Sequence, residues 1–150
     1  MHRYRTHNCG ELRKNDAGKK ARLAGWVYRK RDHGSLLFID LRDHYGVTQI
    51  VVQPDKDFFE LCTGLRFESV VVFTGTVRER STDTINPSLS TGEIELVAES
   101  VEIESIAEPL PFSLTAEEDL PEELRLKYRY LDLRRPEIHN RIVLRSDVIA

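Results

Sequence analysis

Phe38 is an aromatic residue on the polar side of a predicted β-strand. Successive side chains of a strand point to opposite faces, so the apolar residues of SLLFIDLRD (35–43) share one inner face: Leu37, Ile39 and Leu41. Phe38 faces outward beside Asp40. An outward ring can stack on a nucleic-acid base, which is worth about 1–3 kcal/mol per base. The alternative is that Phe38 packs under a loop or the neighbouring helix.

Gln49 and Glu95 hold outward positions on two further predicted strands. In VTQIVVQ (47–53) and EIELVAESVEIE (93–104) the inward residues are Thr48, Ile50 and Val52 and then Ile94, Leu96 and Ala98. The Gln49 amide offers both a donor and an acceptor, as pairing with a base edge requires. The Glu95 carboxylate can accept hydrogen bonds from exocyclic amines. Each residue alone is an ordinary surface side chain, whereas a carboxylate at the centre of a basic face would read bases.

Four arginines lie near the ends of the first and fourth predicted strands, and they are Arg29, Arg31, Arg78 and Arg80. These strand ends can border the same barrel face, where guanidinium groups hold phosphates or stack on bases. Arg29 and Arg31 share the phase of the apolar residue Val27. Their outward orientation therefore requires a bend in the strand, for which Gly25 is the predicted bend or bulge point.

Five strands and one helix position these residues. The predicted strands are 21–33, 35–43, 47–53, 69–80 and 93–104, with a helix over 56–66 between the third and the fourth. Three strands, a helix and two strands within about 85 residues predict an all-β core, the five-stranded Greek-key barrel of the OB-fold, which binds oligonucleotides. An SH3-like or other small barrel is the structural alternative.

A proline-containing linker and a helical segment follow the predicted barrel. Residues 105–121 contain three of the six prolines, and helices are predicted over 122–133 and from 137 to 150, separated at Pro136. Charge follows the same division. Residues 1–80 carry 15 Lys and Arg against 10 acids, 81–124 carry 12 acids and no base, and 125–150 carry 7 bases against 3 acids. The basic parts suit a polyanionic partner, and chance clustering on a solvated surface explains them equally well.

The motifs of several function classes are missing from the sequence. No apolar run approaches the ~20 residues of a membrane span, and the start of the chain has no apolar signal-peptide core, so we expect a cytoplasmic protein. Cys9 and Cys62 lie 53 positions apart without a CxxC pattern, and the five histidines are scattered, which predicts neither a disulfide nor a metal site. Without a Walker-type loop or GxSxG, we expect no catalytic residue here.

Four segments resemble the bacterial aspartyl-tRNA synthetases, a class II family. They are GWVYRKRDHGSLLFIDLRDHYGVTQIVV (25–52), TGTVRER (74–80), TGEIEL (91–96) and RLKYRYLDLRRPE (125–137). The resemblance covers essentially the whole chain. It implies that 1–105 is the OB-fold anticodon-binding domain, that 106–136 is the linker or hinge, and that 137–150 starts the catalytic domain with the first class II motif, part of a dimer interface.

The resemblance also implies roles for the site residues. Phe38 matches the aromatic residue that stacks on the middle anticodon base, and Gln49 matches the residue that reads the edge of that base. Glu95 matches a glutamate that helps to select the flanking bases. The four arginines match basic contacts to bases and phosphates: Arg29, Arg31, Arg78 and Arg80.

Two departures from the family pattern concern tRNA discrimination. Some members have Asn in the loop after the fourth strand, where this chain has STDT (81–84), including Asp83 and Thr84. His33 replaces the Leu of members that are strict for the aspartate tRNA. Relaxed members often have His there, which favours an enzyme that charges both the Asp and the Asn tRNAs. Those tRNAs differ at the third anticodon base.

The implied parent enzyme activates aspartate with ATP and Mg²⁺ and transfers it to tRNA. Its ATP and aspartate sites belong to the catalytic domain, so no cofactor is expected for this domain, and the full-length protein is expected to be a homodimer. Two alternatives stay open. One is the same barrel in an asparaginyl or lysyl synthetase, and the other is a free-standing barrel that binds single-stranded nucleic acid.

Overall fold

The structure, a computed structural model, describes residues 2–115 and 119–150. It divides into two compact units, the first ending at Pro109 and the second running from Leu110 to Ala150. The predicted domain boundary at 105 lies four residues before this division. Positions 116–118 of the predicted linker lie outside the described residues, and the roles assigned to 106–136 and 137–150 remain predictions.

Five strands of the first unit form a closed barrel in the order β1-β2-β3-β5-β4. All neighbouring pairs are antiparallel except β3 and β5, which are parallel. This order, with a helix α1 after the third strand, is the predicted OB-fold. The bounds are β1 Lys20–Asp32, β2 Leu37–Arg42, β3 Val47–Val52, α1 Phe59–Thr63, β4 Val70–Glu79 and β5 Ile94–Ser105, with short 3₁₀ turns at Lys14–Asp16 and Thr82–Thr84.

The barrel interior is filled by the alternate residues that the strand patterns placed there. All nine predicted inward residues are buried: Leu37, Ile39, Leu41, Thr48, Ile50, Val52, Ile94, Leu96 and Ala98. Phe73 of β4 and Leu12, which precedes the first strand, complete the core. Because the interior face is almost entirely apolar, the register is fixed. The opposite faces carry the polar residues of the candidate site together with apolar residues such as Val51 and Val72.

The helix between the third and fourth strands is shorter than predicted, since it covers Phe59–Thr63 rather than 56–66. Residues 53–59 form successive turns, with Lys56 N donating to Gln53 O and Phe59 N to Lys56 O. The N-cap of the helix is Phe58. After Thr63 the chain must return to the barrel wall, where Glu68 N donates to Val27 O over 2.8 Å.

The irregularity of β1 lies at Tyr28 and not at the predicted Gly25. Gly25 pairs regularly with Val71, whereas the pairing of β1 with β2 shifts between Val27 and Arg29. Gly25 is required for another reason. A Cβ atom at this position would lie 2.3 Å from the carbonyl oxygen of Arg42.

The second unit is helical, with α2 Glu122–Lys127, α3 Arg129–Asp132 and α4 Pro136–Ile149. The single helix predicted over 122–133 is interrupted at Tyr128, whose φ of −112° and ψ of 46° are not helical. Pro136 takes the predicted first-turn position of α4. Several apolar side chains of α4 are exposed, among them Leu144, Val148 and Ile149.

Asp132 is the buried polar centre of the second unit. Its carboxylate accepts hydrogen bonds from three arginines, Arg125, Arg129 and Arg135. Burial acts to raise the pKa of Asp132, but the hydrogen bonds from Arg125 and Arg135, together with the charges of Arg125 and Arg129, hold the pKa below its ordinary value. No helix of the described ranges is both long enough and apolar enough to cross a bilayer.

Candidate nucleic-acid interface

Gln49 and Glu95 meet on the outer face of the barrel. The parallel pairing of β3 and β5 sets Ile50 opposite Leu96 on the inner face, so the residues that precede them face outward side by side. Gln49 Nε2 donates to Glu95 Oε2 over 2.8 Å. Both side chains are almost fully covered, with 7% and 8% of each residue exposed. They form a fixed polar pair.

Arginines extend this pair at both ends. Arg31 Nη2 donates to Gln49 Oε1 over 2.9 Å and to Asp40 Oδ1 over 2.9 Å. At the other end, Arg78 Nε donates to Glu95 Oε1 over 3.0 Å. All five strands thus contribute to one continuous chain of charge-assisted hydrogen bonds, and such bonds are stronger than those between neutral groups.

Phe38 lies beside this chain on the outer face of β2. It pairs with Arg31 of β1, and the Arg31 guanidinium carbon is 6.0 Å from the centre of the ring. The His33 ring contacts Phe38 edge-on, with 5.4 Å between centroids and 80° between planes. The phenylalanine is half-buried. Its ring is therefore held from the sides and not sealed in the interior.

Arg80 is buried although it was predicted as a surface contact. Its Nε donates to the carbonyl oxygen of Ile94 over 2.9 Å and its Nη1 to that of Thr84 over 3.3 Å. Its Nη2 is buried and has no hydrogen-bond partner among the described residues. Burial lowers the pKa of Arg80, although Glu95 and Asp40 act to raise it.

Asp40 belongs to this surface and was not among the predicted site residues. It pairs with Gln49 across β2 and β3 and binds Arg31. Burial raises the pKa of Asp40, although Arg31, Arg29 and Arg80 act to lower it. The signal that could have found it was its outward parity, because Asp40 shares the outer phase of β2 with Phe38.

The remaining predicted residues border this surface. Arg29 is exposed, opposite Asp40, with its guanidinium carbon 5.5 Å from the centre of the Tyr28 ring. His33 is exposed in the turn between β1 and β2, and Asp83 is exposed in the 3₁₀ turn between β4 and β5. The carbonyl oxygen of Thr84 accepts a hydrogen bond from Arg80 Nη1. OB-folds bind oligonucleotides on the face of strands 2 and 3 and on these two loops.

The protein-family model named tRNA anti-codon, which describes an OB-fold nucleic acid binding domain, matches residues 21–104. The chain belongs to this family. The matched range contains every residue of the surface described above. Within the described part of the chain, no cluster of three or more His, Cys, Asp and Glu residues could hold a metal ion.

Curated relatives of this OB-fold chain are long proteins. Aspartate–tRNA(Asp/Asn) ligase of Zymomonas mobilis is 58% identical over 150 residues, which are 100% of this chain and 25% of the relative. The protein of the same name from Rickettsia canadensis is 54% identical over 151 residues, again 100% of this chain and 25% of the relative. The chain spans about a quarter of the length of the curated relatives it matches.

Solved structures of two aminoacyl-tRNA synthetases contain a similar fold. Asparaginyl-tRNA synthetase from Pyrococcus horikoshii, complexed with asparaginyl-adenylate, aligns with a TM-score of 0.73 and 32% identity over 87% of this chain and 29% of its own. Aspartyl-tRNA synthetase from Entamoeba histolytica has a TM-score of 0.77 and 22% identity over 87% and 32%. The second likeness shows the fold alone.

Proposed function

We propose that this chain is the anticodon-binding domain of an aspartate–tRNA ligase and that its ligand is the unpaired anticodon loop of tRNA. The observation that carries the proposal is the position of the Phe38 ring beside the Gln49–Glu95 pair, on the barrel face where OB-folds bind oligonucleotides. Sequence-specific RNA recognition commonly uses splayed bases, stacked on aromatic rings and hydrogen-bonded at their edges.

Gln49 keeps hydrogen-bonding capacity for a base after its contacts within the protein are made. Its Nε2 has two hydrogens, of which Glu95 takes one, and its Oε1 has two lone pairs, of which Arg31 takes one. A base edge that presents an acceptor next to a donor matches the remaining pair. Because Glu95 and Arg31 already fix the amide orientation, binding requires little additional ordering of this side chain.

Arg80 supports the surface from beneath. Its guanidinium donates to the carbonyl oxygens of Ile94 and Thr84, and its Nη2 is buried. We assign Arg80 to the RNA site as the residue that fixes the loop carrying Thr84 and Asp83. The more exposed Arg29 is assigned to the phosphate backbone, because phosphate contacts position a nucleic acid without reading its sequence.

Relaxed specificity for both the Asp and the Asn tRNAs is part of the proposal. It is supported by the names of the relatives and by His33, whose ring lies against the edge of Phe38. A residue at this position can alter how the base stacked on Phe38 places its neighbours. Asp83 and Thr84 are the candidate discriminating residues in the second loop.

The activity of the whole enzyme is proposed in the same way. Aspartate activation with ATP and Mg²⁺ takes place in a catalytic domain beyond these residues, in the cytoplasm, and the enzyme is a homodimer. The exposed apolar side chains of α4 support the dimer. The 150-residue chain alone is expected to catalyse no aspartate-dependent exchange between ATP and pyrophosphate. Robust exchange would contradict the assignment of aspartate activation to a separate catalytic domain.

A binding panel tests the proposal. Anticodon stem-loop RNAs that differ only at the third anticodon base are titrated against the chain and against His33→Leu. Comparable affinity for the Asp and Asn stem-loops, and a preference for the Asp stem-loop in His33→Leu, are expected. His44→Leu, in the turn between β2 and β3, is the matched control. Binding of neither stem-loop above an unrelated hairpin would overturn the proposal. A preference of the unmodified chain for the Asn or a lysine stem-loop would favour an asparaginyl or lysyl enzyme.

A further inference from the structure

Tyr28 is an extra residue in the pairing of β1 with β2. Val27 is opposite Leu41 and Arg29 is opposite Asp40, so two steps along β1 correspond to one step along β2. This arrangement is a β-bulge, in which one residue of the longer strand is left out of the ladder. A bulge also reverses the side-chain phase of all residues that follow it.

The bulge determines which face Arg29 and Arg31 occupy. In a regular strand these residues would share the face of Val27, which is fully buried in the barrel. The extra residue instead sets Arg29 opposite Asp40 and Arg31 opposite Phe38, on the outer face. If the bulge were at Lys30, Arg29 would lie opposite Ile39 and point into the core.

An ion pair holds the bulge from the side. The Arg42 guanidinium carbon lies 4.8 Å from the centre of the Tyr28 ring and 5.6 Å from that of Trp26. Arg42 Nη2 donates to both carboxylate oxygens of Glu68, over 2.8 and 3.1 Å. The side chains of Arg42 and Glu68 are only 14% and 6% exposed. The pair is thus largely shielded from solvent screening.

The backbone of Glu68 fixes the residue before the bulge. Glu68 N donates to Val27 O over 2.8 Å, and Val27 N donates to Ser69 O over 3.0 Å. Glu68 has a φ of 68°, a left-handed conformation that glycine adopts freely and other residues avoid. A glutamate at this position therefore indicates a role for its carboxylate.

We infer that the Arg42–Glu68 ion pair is a positioning device for the RNA-binding surface: it keeps the β-bulge at Tyr28 and so directs Arg29 and Arg31 outward to the RNA. This inference rests on the proposed function, because it assigns those two arginines to RNA. Neither Arg42 nor Glu68 needs to touch the ligand. Their contribution passes through the β1 backbone to the arginine that holds Gln49.

Glu68→Gln tests the ion pair, because it removes the charge and keeps the shape. We expect the affinity for an anticodon stem-loop to fall about five- to ten-fold at a temperature where circular dichroism shows a folded chain. The amide NMR signals of Tyr28 to Arg31 should shift in the absence of RNA. Glu102→Gln is the matched control, because Glu102 of β5 forms an ion pair with Arg22, which lies on β1 away from the bulge. It should leave those signals unchanged and the affinity within about twofold.

Deletion of Tyr28 separates positioning from general stabilisation. Without this residue Val27 and Arg29 become consecutive, and regular pairing alone places them opposite Leu41 and Asp40. Both arginines then face outward through regular alternation, without a bulge. In this shortened chain Glu68→Gln should change the RNA affinity less than about twofold. A residue that only stabilises the fold would lower the affinity equally in both backgrounds.

Two results would overturn the inference: unchanged amide signals of Tyr28 to Arg31 in Glu68→Gln, or equal affinity losses in both backgrounds. If the shortened chain does not fold, the comparison of amide signals between Glu68→Gln and Glu102→Gln decides. Arg31→Ala distinguishes a failure of the proposed RNA-binding function from a failure of the inference about the bulge. If it leaves RNA affinity unchanged while Glu68→Gln still shifts the signals, the assignment of Arg31 to RNA is wrong and the positioning of the bulge stands.

Discussion

Gln49 and Glu95 are joined side chain to side chain across the parallel β3–β5 pair, with 2.8 Å between Gln49 Nε2 and Glu95 Oε2. The two residues are 46 positions apart in the sequence. Arg31 and Arg78 bind the two ends of the pair. This relationship converts two ordinary surface side chains into a rigid element whose remaining donors and acceptors have fixed directions.

Phe38→Ala should weaken binding of an anticodon stem-loop by about 1–3 kcal/mol, because a base loses its stacking partner. The fold should be unchanged, since Phe38 lies on the outer face. Fluorescence anisotropy measures the affinity and circular dichroism the fold. Phe67→Ala is the control, because Phe67 is exposed near the end of α1. Unchanged affinity in Phe38→Ala would remove this ring from the site.

Binding should weaken as salt rises, because arginine contacts to phosphates release counterions. For a single strand, each contact contributes about 0.7 to the slope of log affinity against log salt. Arg29→Gln should therefore reduce the slope by about 0.7. Arg22→Gln, at the other end of β1 and paired with Glu102, should leave the slope unchanged. A flat titration of the unmodified chain would contradict phosphate binding.

Asp132→Asn should destabilise the second unit near neutral pH, because the fully buried carboxylate loses its charge while three arginines still surround it. Its arginine partners are partly exposed, so the cost is about 1–3 kcal/mol. The pKa of Asp132 is lowered in the folded state, so its stabilising effect is complete above the unfolded value of 3.8 and is lost as the pH falls below it. The helical circular dichroism signals of variant and unmodified chain should differ at pH 7 and converge below about pH 3.8. A constant difference would contradict the ionic role.

Neither cysteine should react with a thiol reagent in the folded chain. Burial, assisted by the Asp43 carboxylate, raises the pKa of Cys9, and burial raises the pKa of Cys62 to about 12. The thiolate is the reactive form, and both side chains are fully buried. A colorimetric thiol assay at pH 8 should detect two thiols only after a denaturant is added. Rapid reaction of either cysteine in the native chain would contradict this burial.

The local patterns of the chain determined the barrel and one half of its surface. Alternation within β2, β3 and β5 separated the inner residues from Phe38, Gln49 and Glu95, because strand side chains alternate strictly and an apolar interior tolerates only one phase. The apolar spacing predicted a longer α1 and a continuous helix through Tyr128, and both predictions were wrong. In the structure α1 begins only at Phe59 and ends at Thr63, and the non-helical backbone of Tyr128 divides the second segment into two helices.

Only the tertiary structure decided how the charged residues are arranged. Parity within β1 could not orient Arg29 and Arg31, because the bulge at Tyr28 depends on Arg42 and Glu68 from other parts of the chain. Likewise, Arg80 becomes a buried donor only when Ile94 of β5 and Thr84 of the loop before β5 offer their carbonyl groups. Sequence patterns report the face of a residue within its own strand. The contacts of long charged side chains depend on which strands close the barrel and in what register.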